Sequence, residues 1–213
     1  MKYYDKAFIT GCDKNHEWML KWFFKNYKKH MKDVPLIFAN FGLSDKGLTI
    51  VRENAHAVMN LETFDEKGWF KKPLAMLKSP SKKTVWIDLD CEIRDDVSNL
   101  FNMLVPNKLN MVEDKPWTMR GKELWHNSGV VGFIDKPAIL YQWAKAIRDA
   151  PVKGDQEVLH LMLNPITKIK YINDIPNEYN VLRLQTETDG YDGPIKVMHW
   201  TGAKGKDKIK AMI

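Results

Sequence analysis

The order of apolar segments near the start of the chain constrains the fold more than any other feature. A short apolar run, 7–12, precedes a helical pattern, and a second apolar run, 36–39, follows it. The helical pattern is a stripe of apolar residues at i, i+3, i+4, i+7 and i+11, formed by Leu20, Phe23, Phe24, Tyr27 and Met31. Two strands joined by one amphipathic helix predict a parallel sheet covered by helices.

The rest of the chain continues this alternation of strands and helices. The run 84–87 is β-branched and aromatic, which predicts a buried central strand. Further strands are predicted at 109–113, 129–134, 168–172 and 195–199. Helices are predicted around 70–77, from Asp95 to Leu104 ahead of Pro106, from Pro137 and from Asp155. The expected fold class is therefore α/β, with a mostly parallel central sheet flanked by helices.

Length and composition limit the class of protein. With 213 residues, of which 44% are hydrophobic, the chain can bury a full core and suits one domain spanning 1–213. The net charge of +6 favours phosphate-bearing partners without singling out nucleic acid. Cys12 and Cys91 lack the spacing of a disulfide framework or a zinc site, so we expect reduced thiols and a cytoplasmic location.

The sequence offers no segment typical of a membrane anchor. Charges interrupt the first residues where a signal peptide needs its apolar run, and no apolar stretch approaches membrane-spanning length. The Trp/Phe/Lys segment 18–32 and the Lys-rich end 204–210 leave contact with an anionic membrane surface as an alternative. Solvated lysine faces on ordinary helices are far commoner, so this contact is not what we expect.

Two acids, Asp88 and Asp90, directly follow the predicted central strand. Residues two apart in a strand point the same way, and ligands of open α/β sheets bind beyond the carboxyl ends of the strands. Acidic triplets of this kind also occur in solvated loops. Here the preceding run is buried, where uncompensated charge is costly, so a divalent cation beside the two carboxylates is the simpler interpretation. His199, at the end of the predicted strand 195–199, is a further candidate ligand, with a hydrogen-bonded structural histidine as the alternative.

Several segments resemble, in the same order, motifs of the GT-A class of nucleotide-sugar glycosyltransferases. The resemblance is greatest to the family 8 glycosyltransferases, whose galactosyl- and glucosyltransferases use a UDP-sugar and manganese. The segments are 12–16, 72–74, 86–93, 127–133, 155–159, 176–182 and 199–206. Leu89 replaces the alanine of the family's Asp-Ala-Asp, Gly205 stands at the family's lysine position, and the Pro-Trp of the family ending is missing. The resemblance implies a single Rossmann-like GT-A domain.

The resemblance also implies roles beside the donor. Asp13 is expected to meet the uracil and Asn15 to lie near the ribose, although Asn15 is equally suited to capping the first helix. Lys72 is expected to contact a phosphate or the sugar, with a snorkelling surface lysine as the alternative. Asn127 and Ser128 are expected to hydrogen-bond the donor sugar.

Further roles concern the reacting centre and the metal. The resemblance implies that Asp88, Asp90 and His199 hold Mn²⁺, with Mg²⁺ as a substitute. Asp155 or Gln156 is expected to stabilise the oxocarbenium-like centre with retention of configuration, and Asp155 is alternatively a helix cap. Gly202 maps onto the turn that faces the diphosphate, together with Lys204 or Lys206, and which lysine reaches the phosphate stays open. Asn180 is interpreted as structural.

The expected function is transfer of a hexose from a UDP-sugar to an acceptor that the sequence does not identify, whether a saccharide, a glycolipid or a protein. One alternative is a metal-dependent nuclease or nucleotidyltransferase, because paired acids and a basic surface also suit phosphoryl transfer. It gives the segment 127–129 no role. The other alternative is a basic nucleic-acid-binding module, supported by the pI of 9.1. Nucleic acid is not the expected partner, because the aromatic residues fall mainly on helix stripes or in strands.

Overall fold

The structure is a computed structural model that describes residues 2–31, 33–63, 68–149 and 154–213. Its strands are β1 (Tyr4–Cys12), β2 (Leu36–Asn40), β3 (Ala57–Asn60), β4 (Ser81–Ile87), β5 (Cys91–Ile93), β6 (Leu109–Glu113), β7 (His126–Ile134), β8 (Ile172–Asp174), β9 (Val181–Leu182) and β10 (Val197–His199). Its α-helices are α1 (Leu20–His30), α2 (Asp45–Asn54), α3 (Lys72–Lys78), α4 (Leu100–Met103), α5 (Lys115–Gly121), α6 (Ala138–Asp149), α7 (Asp155–Met162), α8 (Pro165–Tyr171), α9 (Arg183–Glu187) and α10 (Gly202–Lys210).

A mostly parallel sheet forms the centre of the described part of the chain. Its seven strands lie in the order β3-β2-β1-β4-β7-β6-β8. Strand β7 is antiparallel to both of its neighbours, β4 and β6, and every other neighbouring pair is parallel. The predicted α/β class with a mostly parallel central sheet is therefore confirmed. A smaller sheet, β5-β10-β9, lies beside it.

Apolar side chains cover both faces of the large sheet. Strand β1 alternates between them, because Phe8 packs into one apolar core while Ala7 and Ile9 pack into the other. All five residues of the predicted α1 stripe are buried in the core that contains Phe8. Trp143 of α6 lies in the opposite core. Helices on both faces explain why β2 is buried throughout and why the runs 7–9 of β1 and 85–87 of β4 are apolar.

Three predicted elements differ in the structure. The segment 168–172, predicted as a strand, belongs almost entirely to α8. Local helix-start signals explain the difference: Asn164 accepts a hydrogen bond from the amide of Thr167, and Pro165 occupies the first turn. The helix predicted from Asp95 begins only at Leu100. Strand β7 begins at position 126 instead of 129, so 127–129 lies inside a strand.

A tight turn after β4 carries the two acids of the predicted metal motif. The amide of Asp88 donates to the carbonyl of Gly129 at 2.8 Å, and the amide of Cys91 donates to the carbonyl of Asp88 at 3.0 Å. Strand β5 then pairs antiparallel with β10, and this register places Cys91 opposite His199. The small sheet thus brings the end of the chain to the end of the central strand.

Among the described residues, none of the helices combines the length and the apolar character needed to cross a bilayer. Lys32, the last residue of the segment 18–32, lies outside the described residues. In that segment Trp22, Phe23 and Phe24 are buried in the core.

Gly205 allows α10 to lie against the chain that enters it. A Cβ at this position would overlap the backbone carbonyl of Trp200, which cannot rotate away as a side chain would. Gly205→Ala should therefore lower the free energy of unfolding by about 1–3 kcal/mol, a fall in Tm of about 2–4 °C for each kcal/mol. Lys204→Ala, on the exposed side of the same turn, is the control and should change stability by less than about 0.5 kcal/mol. Equal melting temperatures for the two variants would contradict the close approach.

Candidate active site

The three residues predicted to bind a metal lie close together beyond the end of β4. The Nε2 atom of His199 lies 3.3 Å from Oδ1 of Asp90 and 3.9 Å from Oδ2 of Asp88. The histidine side chain is 6% exposed, and the Asp88 and Asp90 side chains are 22% and 14% exposed. The structure therefore brings together two carboxylates and one imidazole nitrogen from stretches of chain more than a hundred residues apart.

Each carboxylate has its own lysine. The Nζ atom of Lys72 lies 2.9 Å from Oδ1 of Asp88 and 3.0 Å from Oδ2 of Asp155, and it donates to the backbone carbonyl of Ser128 at 3.1 Å. The Nζ atom of Lys206 donates to Oδ2 of Asp90 at 3.0 Å. The Lys72 side chain is 3% exposed, so the alternative of a snorkelling surface lysine is wrong.

Burial and charge shift the pKa values of these groups in different directions. Burial raises the pKa of Asp88 above its usual value, and the positive charge of Lys72 offsets this only in part. Burial also acts to raise the pKa of Asp90, but His199 and Lys206 outweigh it and hold that pKa well below its usual range. Burial acts to lower the pKa of Lys72, and the charges of Asp155 and Asp88 raise it above the ordinary value instead. The centre is therefore a buried cluster of mutually dependent charges.

The thiol of Cys91 adjoins this cluster. It lies close to Asp90 and His199 and is fully buried. Burial, followed by the negative charges of Asp90 and Asp88, raises its pKa well above the usual value. The ligand atoms of Asp90, Cys91 and His199 lie within 4.8 Å of one another, so the thiol adjoins the place where a cation would bind.

The other nitrogen of the His199 ring contacts two buried amides. Its Nδ1 atom lies 3.1 Å from Oδ1 of Asn127 and 3.0 Å from Oδ1 of Asn180. The Asn180 amide nitrogen donates in turn to Oδ1 of Asn127 at 2.8 Å. The prediction that Asn180 is structural therefore leaves out its contact with a candidate ligand.

Asp114 holds the amides on the other side of Asn127. Its Oδ2 atom accepts from the amide nitrogens of Asn127 and Gln156, both at 2.9 Å. Asn127 also donates to Oε1 of Gln156 at 2.9 Å, and the backbone amide of Ser128 donates to the same oxygen at 3.2 Å. Asp114 caps α5 through its Oδ1 atom. The buried carboxylate of Asp114 thus orients the side chains of Asn127 and Gln156, and Asn127 in turn contacts His199.

Two cavities meet at this centre, and they share Asp88, Asp90, Gly154 and Asp155. The β1-side cavity, of about 300 Å³, lies beyond the end of β1. Its other lining residues include Gly11, Cys12, Asp13, His16, Trp69 and Lys206. The outer cavity, of about 590 Å³, lies on the β7 side. Its other lining residues include Trp117, Trp125, Gln156, Glu157, His199 and Gly202.

The structure separates some predicted site residues from others. Asp13 lines the β1-side cavity, whereas Asn15 is exposed and donates its backbone amide to Oδ1 of Asp13 at 3.1 Å. The alternative that Asn15 caps the first helix is wrong, because His16 and Met19 occupy the capping positions there. Lys204 is exposed and lines neither cavity.

Two helices, α7 and α10, begin at residues that line these cavities. Asp155 is the first residue of α7, and the capping position belongs to Gly154, so the alternative that Asp155 is a helix cap is wrong. Gly202 is the first residue of α10 and has φ of 72°, a conformation that favours glycine. Gly202 lines the outer cavity, so α10 begins at the edge of that cavity.

The sequence interpretation missed Asp114 and Trp117. Asp114 follows β6 directly, as Asp88 follows β4, so the rule that ligands bind beyond strand ends already pointed to it. Trp117 lies in α5, a helix that the sequence did not predict because its apolar residues show no helical periodicity. Trp117 is 49% exposed and lines the outer cavity.

Lys72→Met should destabilise the metal-free protein by about 3–5 kcal/mol near neutral pH, because two buried carboxylates lose their shared cation. The raised pKa of Asp88 rises further in this variant, so ionisation of the folded form costs stability as the pH climbs through that value. The deficit relative to wild type should therefore be larger near pH 7.5 than at about pH 4.5, measured by urea unfolding with chelator present.

Lys71→Met is the matched control. Lys71 is equally buried, but its Nζ atom donates to backbone carbonyls, at 2.9 Å to Leu61 and 3.1 Å to Glu62. Its deficit should not change with pH over the same interval, because a carbonyl has no charge to lose. An Lys72→Met deficit that is equally independent of pH would contradict the ion cluster.

No protein-family model matches the chain, and no curated protein matches its sequence. Solved structures do match it. The galactosyltransferase LgtC, in complex with donor and acceptor sugar analogs, superposes with a TM-score of 0.67 at 15% identity, over 92% of this chain and 87% of that one. The glycosyltransferase GlyE of Streptococcus pneumoniae TIGR4 gives 0.67 at 14% identity, over 93% and 55%. Mouse xyloside xylosyltransferase 1 gives 0.57 at 12% identity, over 92% and 97%. The chain therefore has the fold of the GT-A glycosyltransferases.

Proposed function

We propose that the chain is a metal-dependent glycosyltransferase that transfers a hexose from a UDP-sugar to an acceptor, with retention of configuration. The observation that carries the proposal is the junction of the two cavities at Asp88, Asp90 and Asp155. A transferase needs two substrates that meet at one reacting atom, and a single binding pocket would not provide this. The fold shared with known glycosyltransferases supports the same conclusion.

The donor set at the junction fits a divalent cation. Two carboxylates and an imidazole nitrogen are ligands that suit Mn²⁺, with Mg²⁺ as a substitute. In this proposal Asp88, Asp90 and His199 hold the ion. When bound, it would neutralise the negative charge that develops on the departing diphosphate.

We assign the β1-side cavity to the nucleotide donor and call it the donor-side cavity. It lies beyond the carboxyl end of β1, where open α/β sheets bind such ligands. In this proposal Asp13, which lines the cavity, accepts from the uracil, and Asn15, which lies outside the lining, contacts the ribose. Lys206 borders the same cavity, so we assign it, and not the exposed Lys204, to the diphosphate.

The residues at the junction suit the other half of the reaction. Positive charge develops on the sugar ring as the diphosphate leaves, and Asp155 presents a carboxylate held by Lys72 at 3.0 Å. Gln156 has its side chain oriented by Asp114 and Asn127. Both residues keep their position without help from substrate, which is the preorganisation that a charged transition state requires.

The outer cavity is the proposed acceptor site. Trp117 lies on its wall with its ring 5.5 Å from that of Trp125, whose ring stacks on His160 with 3.5 Å between centroids. Trp125 is therefore held by its neighbours, and Trp117 offers the larger open aromatic face. An aromatic face beside buried polar groups suits the apolar side of a sugar ring.

Removal of one carboxylate should test the metal assignment. Asp90→Asn should weaken the apparent Mn²⁺ affinity by about 100-fold or more, measured as the rise in Tm with added Mn²⁺ at fixed UDP, and should abolish the Mn²⁺-dependent hydrolysis of UDP-sugars. Asp207→Asn is the control, because its carboxylate is exposed and pairs with Lys210 of the same helix. Unchanged Mn²⁺ dependence in Asp90→Asn would rule the assignment out.

Substitution of two half-exposed tryptophans should show which cavity binds which substrate. Trp69 lines the donor-side cavity and Trp117 the outer one, with exposures of 50% and 49%. Trp117→Ala should raise KM for transfer to neutral disaccharides about tenfold and leave UDP-sugar hydrolysis unchanged, because only the acceptor loses a contact. Trp69→Ala should raise KM for the UDP-sugar instead. The reverse pattern in steady-state kinetics would exchange the two cavities.

Nothing in the described residues favours the other two functions. The fold match is to glycosyltransferases, and the paired carboxylates line two cavities that also share Asp155.

A further inference from the structure

The amide of Asn127 has no capacity left for a sugar. Its two N–H groups donate to Asp114 and to Gln156. Its oxygen accepts from the backbone amide of Gly129 at 2.9 Å and from the amide of Asn180 at 2.8 Å, and it lies 3.1 Å from Nδ1 of His199. The side chain is 5% exposed. A sugar hydroxyl would have to break one of these contacts, so the role expected for this residue from sequence does not suit its surroundings.

The contacts of Asn127 and Asn180 determine which ring nitrogen of His199 carries the proton. Both amide oxygens face Nδ1, and an oxygen of this kind accepts but does not donate a hydrogen bond. The orientation of the Asn127 amide follows independently from Asp114, whose carboxylate accepts from the nitrogen side. Nδ1 of His199 therefore carries a proton. Nε2 faces the carboxylates of Asp90 at 3.3 Å and Asp88 at 3.9 Å, and it is the ring nitrogen left to a cation.

Gly129 completes the surroundings of the ring. A Cβ at this position would overlap Cε1 and Nδ1 of His199, so the ring can pack against the strand only because the residue has no side chain. Gly129 lies inside β7 with its backbone amide on Asn127. The same strand therefore supplies both the space for the ring and one of the two acceptors.

We propose that Asn127 and Asn180 are positioning residues that hold His199 as the Nδ1–H tautomer, with Nε2 directed at the cation site. In this arrangement Asn127 acts through the histidine and not through the donor sugar. A metal-ligating histidine commonly donates its other N–H to a partner of this kind, and loss of that partner weakens metal affinity by about 10–100-fold. The inference rests on the proposed function in one respect, the assignment of His199 as a ligand.

The proton on Nδ1 is measurable without metal or substrate. Long-range ¹H–¹⁵N spectra of the metal-free protein should show a proton on Nδ1 of His199, assigned by comparison with His199→Ala. Asn180→Leu should lower the share of rings with a proton on Nδ1, and Asn180→Asp, which keeps an acceptor oxygen, should retain it. A wild-type ring without a proton on Nδ1, or no change in Asn180→Leu, would overturn the proposal.

Metal affinity supplies the second readout. Asn180→Leu should weaken the apparent Mn²⁺ affinity about 10–100-fold at fixed UDP, and it should cause no further loss in a His199→Ala background. Asn110→Leu is the matched control. Asn110 is also fully buried, and its amide donates to the carbonyl of Gly132 at 3.0 Å, away from the histidine. It should lower Tm and leave the Mn²⁺ affinity unchanged.

The outcomes separate this inference from the proposed function. An equal loss of Mn²⁺ affinity for Asn180→Leu in the two backgrounds would show that Asn180 does not act through His199 and would overturn the inference. A wild-type chain that binds no Mn²⁺ would contradict the proposed function instead, and the measurement of the proton on Nδ1 would still decide whether the two amides hold the ring.

Discussion

The balance of charge around Asp88 and Asp90 is the constraint on which the rest of the site depends. Two carboxylates at the end of a buried strand repel each other and lose solvation, so the fold has to supply positive charge within contact distance. Lys72 reaches Asp88 from the start of α3, and Lys206 reaches Asp90 from α10. Those two contacts explain why a lysine that is 3% exposed is tolerated in the core and why the last described helix returns to the central strand.

The strands on either side of β4 give the site two sides. The antiparallel strand β7 lies beside β4, so the segment 127–129 runs past the acids and places Asn127 near His199. The parallel strand β1 ends on the other side, where Asp13 borders the donor-side cavity. One buried hydrogen-bond network, centred on Asp114, connects the histidine to Gln156. A fully satisfied network of this kind is rigid, which suits a site that must hold charges in fixed places.

Local patterns in the sequence were sufficient for the elements whose signals are strong. The α1 stripe and the apolar runs of β1, β2 and β4 were predicted correctly. A strand that is buried on both faces consists largely of apolar residues, and a helix that packs on a sheet shows an apolar stripe. The strand predicted at 168–172 was wrong, because helix-start residues prevailed there. Strand ends and family motifs predicted Asp88, Asp90 and His199 as ligands, and the structure brings the three side chains together. The strand-end rule applied equally to Asp114 and was not used there. Asn180 could not be predicted, because its contact with Asn127 spans 53 residues, which no local pattern records.

The ion pair between Lys206 and Asp90 ties the last described helix to the turn after β4. Lys206 contacts Oδ2 of Asp90, whereas the oxygen that faces His199 is Oδ1. The two oxygens of one carboxylate therefore serve two distant parts of the chain. A substitution that shifts α10 would thus alter the charge balance at the end of the central strand.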